Sequence, residues 1–187
     1  MAGSTPLSRS AAGAIALLLA GVVLAADQIS KALAIANLRP GEWVPVIGEF
    51  LVFRLVRNPG AAFSLGEGIT WVFTLALLAV AVVIVVFVTT RVRSRVWAVV
   101  LGLLLGGVLG NLTDRMFRDP GFPVGHVVDF IHTGWMLPAI YNVADAFIVP
   151  MMIVIALLVM VGVNFSGERV RVGGRKAPAR DEEPSAS

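Results

Sequence analysis

Two aspartates, Asp129 and Asp145, stand where a charge is costly. Asp129 lies in Gly125-His126-Val127-Val128-Asp129-Phe130, in a short polar loop after an apolar run. Asp145 ends Tyr141-Asn142-Val143-Ala144-Asp145, inside the apolar run that Pro138 opens. Ionisable residues at such positions are functional candidates by default. Two carboxylates that face each other do not readily both ionise, so they share a proton. That arrangement activates water: the ionised member takes the proton while the protonated member polarises a peptide carbonyl. Burial next to lipid strengthens the coupling. Spacing alone leaves open whether the two meet, and a structural or proton-relay role stands beside the acid–base one.

Other chemistries find less support. His126, Asp129 and His132 could be drawn as metal ligands, but no His-Glu-x-x-His is present, and no metal is expected. The chain has no cysteine, which excludes disulfides, thiolate metal sites and a cysteine nucleophile. Ser64 lacks a Gly-x-Ser-x-Gly frame, and there is no Gly-rich phosphate loop. The rival class is a proton-coupled transporter in which buried carboxylates relay protons. Such proteins show internal repeats or broken helices, and neither is visible in the chain.

The elements that must position these residues are membrane helices. Of 187 residues, 57% are hydrophobic and 14% charged, against roughly a quarter charged in soluble domains. Several runs approach the roughly 20 apolar residues that cross a bilayer. The formal charge is +3, but the basic residues flank apolar runs, so they report membrane topology rather than nucleic-acid binding. The sequence predicts one mainly α, polytopic membrane domain over residues 11–163, with spans at 11–36, 69–88, 96–113 and 138–163. Disordered termini are expected at 1–10 and 164–187.

Within that frame, Arg9 and Ala11–Ala26 resemble a signal peptide, down to Leu24-Ala25-Ala26 at its end. Helical sequence continues to about Asn37, so an uncleaved first helix is expected. Asp27 and Lys31 share a helix face and can pair, as a helix-end ion pair or as part of a site. In the long loop 38–68, Glu42–Val46 and Phe50–Arg57 flank Gly48 and predict a small strand pair on the membrane surface. Asn58-Pro59-Gly60 is turn chemistry. Arg91, Arg93 and Arg95 mark a tight basic hairpin. Gly102, Gly106 and Gly110 then form a small-residue stripe for close helix packing, which Asn111 and Arg115 extend as polar groups facing the bundle. Residues 116–137 read as a second loop. Pro138 suits a helix start, which places Asp145 about 10 Å down the fourth span, with Asn142 one turn above it and Pro150 at a kink. With four spans, the larger basic count falls on the side of both termini and the Arg91–Arg95 hairpin. Both termini are therefore expected in the cytoplasm and the site near the outer leaflet.

Five motifs in order carry a resemblance. They are Asp27-x-x-x-Lys31, Asn58-x-Gly60-Ala61-Ala62-Phe63-Ser64, Gly110-Asn111-x-x-Asp114-Arg115, the Gly125–Phe130 run and Asn142-Val143-Ala144-Asp145. Together they resemble the lipoprotein signal peptidases (signal peptidase II), bacterial aspartyl proteases of the cytoplasmic membrane. The likeness spans residues 11–163; Tyr141 stands where the family usually has Phe. It implies a four-helix membrane bundle with a small extracytoplasmic β-cradle and an outer-loop helix. It also implies cleavage of diacylglyceryl-modified prolipoproteins just before the lipidated cysteine, by a monomer among membrane lipids, without nucleic acid, metal or organic cofactor. Carried over, Asp129 and Asp145 match the catalytic dyad. Asn58, Gly60, Asn111, Arg115 and Asn142 match positions lining the substrate site, and Asp27 and Lys31 match supporting ones.

Overall fold

The computed structural model describes residues 6–60 and 69–166. The four helices are α1 (Arg9–Asn37), α2 (Thr70–Thr90), α3 (Arg95–Phe117) and α4 (Val143–Met160), each long and apolar enough to cross a membrane. Between them lie β1 (Val44–Ile47), β2 (Leu51–Asn58), β3 (Val127–Thr133) and β4 (Leu137–Tyr141). These form one antiparallel sheet in the order β1-β2-β3-β4. Among the described residues no further helix is present, so the outer-loop helix has no counterpart there. The Ala61–Ser64 part of the motif that begins at Asn58, half of the expected disordered N-terminus and most of the C-terminal one lie outside them.

The central helix is α3, which packs against α1, α2 and α4. The driving force for this is fit rather than hydrophobicity, because lipid tails are as apolar as leucine. Gly102, Gly106 and Gly110 present backbone to α1, while Gly107 and Gly110 face α4. A methyl on Gly106 would lie 2.6 Å from Val23 Cβ and 2.8 Å from the Ala20 carbonyl oxygen. Gly106→Ala is therefore expected to lower stability by about 1–3 kcal/mol, as overpacking does. Gly13→Ala is the control, since nothing lies within 4 Å of a methyl there. Thermal unfolding in detergent compares them, and an unchanged midpoint for Gly106→Ala would refute the close packing. The outward faces of α2 and α4 expose Leu75, Val82, Val83, Ile153 and Leu157, which suits lipid and not water.

Two expectations need correction. Residues 116–137 are not all loop, since Val127–Thr133 is β3, with Val56, Arg57 and Asn58 of β2 opposite Asp129, Val128 and Val127. Pro138 does not start a helix. It lies in β4, at the sheet edge, where a residue without an N–H is tolerated. The predicted strand pair is present as β1 and β2, joined through Gly48 at φ +51°, a conformation that suits glycine. The helix α4 continues through Pro150.

At the end away from the sheet, the chain is clasped by backbone. Leu7 N–H donates to the Arg93 carbonyl at 2.9 Å, and the N–H groups of Arg93 and Ser94 donate to the Phe165 carbonyl, each at 2.9 Å. Trp97 Nε1 donates to the Val163 carbonyl at 3.1 Å. The segments before α1, between α2 and α3, and after α4 thus meet at one place.

Candidate active site

The α4 N-terminus is built by Asn142. Its side-chain oxygen accepts from Asp145 N–H at 3.1 Å, and its own N–H donates to Asp145 Oδ2 at 3.2 Å. This is a capping box, which satisfies helix-end donors reciprocally. Asp145 therefore sits in the first turn of the helix and not two turns into it. The Asn-x-x-Asp spacing carried that signal, and the proline obscured it.

Asp129 reaches the same place from β3, and only 4% of its surface is exposed. It accepts from Asn142 Nδ2 at 2.7 Å and from Asn58 Nδ2 at 3.0 Å. One asparagine thus touches both carboxylates, Asp129 through its amide and Asp145 through its backbone N–H. Burial pushes the Asp129 carboxyl up to about 7, and the negative charge of Asp145 adds to the effect, against the lowering by its two asparagine donors. Asn111 serves the other member, donating from Nδ2 to Asp145 Oδ1 at 2.9 Å. Its Oδ1 accepts from Lys31 Nζ at 3.0 Å and Asn142 Nδ2 at 3.1 Å. These two donors fix which way the Asn111 amide points, so its NH2 faces the carboxylate.

Behind this layer lies a charged one. Lys31 Nζ contacts Asp27 at 2.8 Å and Asp114 at 2.9 Å, and all three side chains are fully buried. With Asn111, its three donors are all engaged. Asp27 also accepts from the Ala144 N–H at 2.9 Å, one of the orphan donors of α4. Asp114 accepts from Val128 N–H of β3 at 3.0 Å, from Gln28 at 3.1 Å and from Arg118 at 2.6 Å. The Asp27–Lys31 pair is therefore not a solvated helix-end bridge. It ties α1, α3, α4 and β3 together. Asp114 stands in one of the five motifs without an assigned role, and Gln28 and Arg118 are not singled out from sequence at all. The Asp114-x-x-x-Arg118 spacing was the available signal, but their long-range partners are invisible in sequence.

Arg115 organises the adjacent turn. Its guanidinium donates to the carbonyls of Asn58 at 3.3 Å, Pro59 at 2.9 Å and Gly125 at 3.0 Å, and also to that of Gly60. Within the turn, Gly60 N–H donates to Asn58 Oδ1 at 3.0 Å. Asn58 is thereby oriented with its NH2 toward Asp129. Both arginine and turn border a cavity of about 390 Å³ at whose polar end lie Asn58, Asn111, Asp129 and Asp145. Its other walls are apolar, with Phe73 and Leu77 of α2 facing Ile148 of α4. All nine residues singled out by sequence thus fall in one connected network. Among the described residues no group of three His, Cys, Asp or Glu side chains could hold a metal ion. His132 instead packs edge-on to Trp43, with ring centroids 4.9 Å apart.

The chain is similar to known proteins in sequence and in fold. The family model for signal peptidase (SPase) II matches residues 19–161. A lipoprotein signal peptidase of Leifsonia xyli subsp. xyli is 46% identical over 181 residues, covering 94% of this chain and 83% of its own. One from Rhodococcus jostii is 52% identical over 152 residues, covering 81% and 75%. A solved bacterial membrane enzyme, determined by the in meso method at 2.3 Å, superposes with a TM-score of 0.69 at 30% identity. That match covers 78% of this chain and 87% of the other.

Proposed function

The chain belongs to the signal peptidase II family, and from that premise we propose that Asp129 and Asp145 are its catalytic pair. The protein is a membrane aspartic endopeptidase that removes the signal peptide from prolipoproteins, cleaving before the lipidated cysteine. Family membership carries peptide hydrolysis rather than proton transport. The observation that supports the pair is the contact of both carboxylates with Asn142, at the polar end of an apolar cavity.

In this reading the pair holds one proton. The ionised carboxylate takes a proton from water as the water oxygen bonds to the scissile carbonyl carbon. The protonated carboxyl stabilises the carbonyl oxygen as it gains charge. Proton delivery to the peptide nitrogen then lets the C–N bond break, with no acyl-enzyme formed. The asparagines hold the carboxylates; Arg115 holds the turn that positions Asn58. Gly60 lines the cavity beside Asn58.

The same reading places both termini in the cytoplasm and the site near the outer leaflet. The basic Arg9, Arg91, Arg93 and Arg95 lie at the clasped end, away from the carboxylates. The chain acts as a monomer among membrane lipids, since the candidate site is complete within one chain.

Activity is expected to fall as pH rises through about 7, where Asp129 gives up the proton that the pair needs. Stability follows the same group. Its value is raised from 3.8 to about 7, so between those pH values the folded protein binds a proton that the unfolded chain has lost. This contribution to stability is therefore lost as pH rises through that window. A pH profile of cleavage of a lipidated peptide, with unfolding measured in parallel, tests both. Activity that climbs steadily through pH 8 would contradict the shared proton.

A further inference from the structure

The clasped end holds charge that the catalytic end does not balance. Arg9, Arg91, Arg93 and Arg95 are all exposed there. Among the described residues, every carboxylate lies toward the sheet end, and the three salt bridges are all there too. These arginines therefore have no carboxylate partner among the described residues.

Beside them is an open recess of about 490 Å³, lined by Val86, Phe87, Thr90, Arg91 and Phe165. Phe165 is held in place from two sides. Its carbonyl accepts the Arg93 and Ser94 N–H groups, and its ring packs against Phe87 and Trp97 at centroid distances of 5.4 and 4.6 Å. The apolar wall continues onto the exposed face of α2 through Val82 and Val83. A ligand that fits would carry negative charge at the level of the arginines and a hydrocarbon chain running along α2.

We propose that this recess binds one anionic phospholipid, with the phosphate at Arg91, which lines it, an acyl chain against Phe87, Phe165 and α2, and the exposed Arg93 and Arg95 of the same connection adding to the positive field. Basic residues at helix ends recruit anionic headgroups, and here a clasped backbone fixes where they stand. The proposal needs only the membrane-spanning fold and does not depend on the catalytic assignment.

Native mass spectrometry of the full chain in detergent, titrated with phosphatidylglycerol or phosphatidylcholine, tests it. One phosphatidylglycerol per chain is expected to be retained in preference to phosphatidylcholine. Replacing two arginines, as Arg91→Gln with Arg95→Gln, is expected to weaken this by about thirtyfold while leaving peptide cleavage in detergent unchanged. Equal retention of the two lipids, or an unaffected double variant, would overturn the proposal. A chain lacking residues 167–187 identifies the competing occupant, since that segment contains Asp181, Glu182 and Glu183. Unchanged phosphatidylglycerol affinity on truncation supports the lipid. A preference that emerges only after truncation would assign the arginines to the tail instead.

Discussion

Asp129→Asn and Asp145→Asn are each expected to leave a folded protein without measurable cleavage of a lipidated peptide. General acid–base catalysis by one positioned group contributes about 10²–10⁴ in rate. In the proposed mechanism each carboxylate is needed both for its own role and for the proton it shares. The amide preserves shape and can still accept a hydrogen bond. At position 129 it keeps an acceptor for Asn58 or Asn142, and it removes a carboxyl whose burial is unfavourable when ionised. Asp129→Asn should accordingly be at least as stable as the wild type at pH 8. At position 145 one of the two capping-box bonds depends on the side chain, so a loss of up to about 1 kcal/mol is expected. Purified variants assayed for cleavage and for unfolding separate these effects. Full activity in either would end the assignment of that residue.

The second large effect is at Lys31. Replacing it with Met leaves Asp27 and Asp114 fully buried with no cation between them. Breaking a buried ion pair from one side costs about 3–5 kcal/mol, because a charge remains without compensation. Lys31→Met should therefore unfold at much lower temperature or fail to accumulate in the membrane. Removing the carboxylates as well, as Asp27→Asn and Asp114→Asn, should recover much of that loss, since charge and countercharge go together. Cleavage should not recover with it. Asn111 would still lack the donor that fixes its amide toward Asp145. If stability and activity returned together in the triple variant, the lysine would be only a structural counterion.

The sequence made some of this legible and hid the rest for identifiable reasons. The four spans follow from composition, because a bilayer demands a long apolar run. The glycine stripe was readable as a packing surface since its period matches the helix. Both aspartates could be nominated from the cost of placing them near lipid, but their meeting could not. It depends on β3 pairing with β2, and Val127–Phe130 is too short an apolar run to distinguish strand from loop. Pro138 misled because proline suits both a helix start and a sheet edge. Deciding between them needs the neighbouring strand. Arg115 was readable as polar company for the site, while its four carbonyl partners come from two separate loops that only the fold brings together.

Asn142 has one more consequence. The gap between the two carboxylates is gauged by a single residue, from its backbone nitrogen to its own side-chain nitrogen. That gauge is covalent, so it does not inherit the tolerances of the long connections on either side. Variation in the length of the segment between α3 and β3 can accumulate without reaching the two aspartates, provided β3 still docks. The dimension that the proposed hydrolysis needs is written into one residue, and the loops are left free to change.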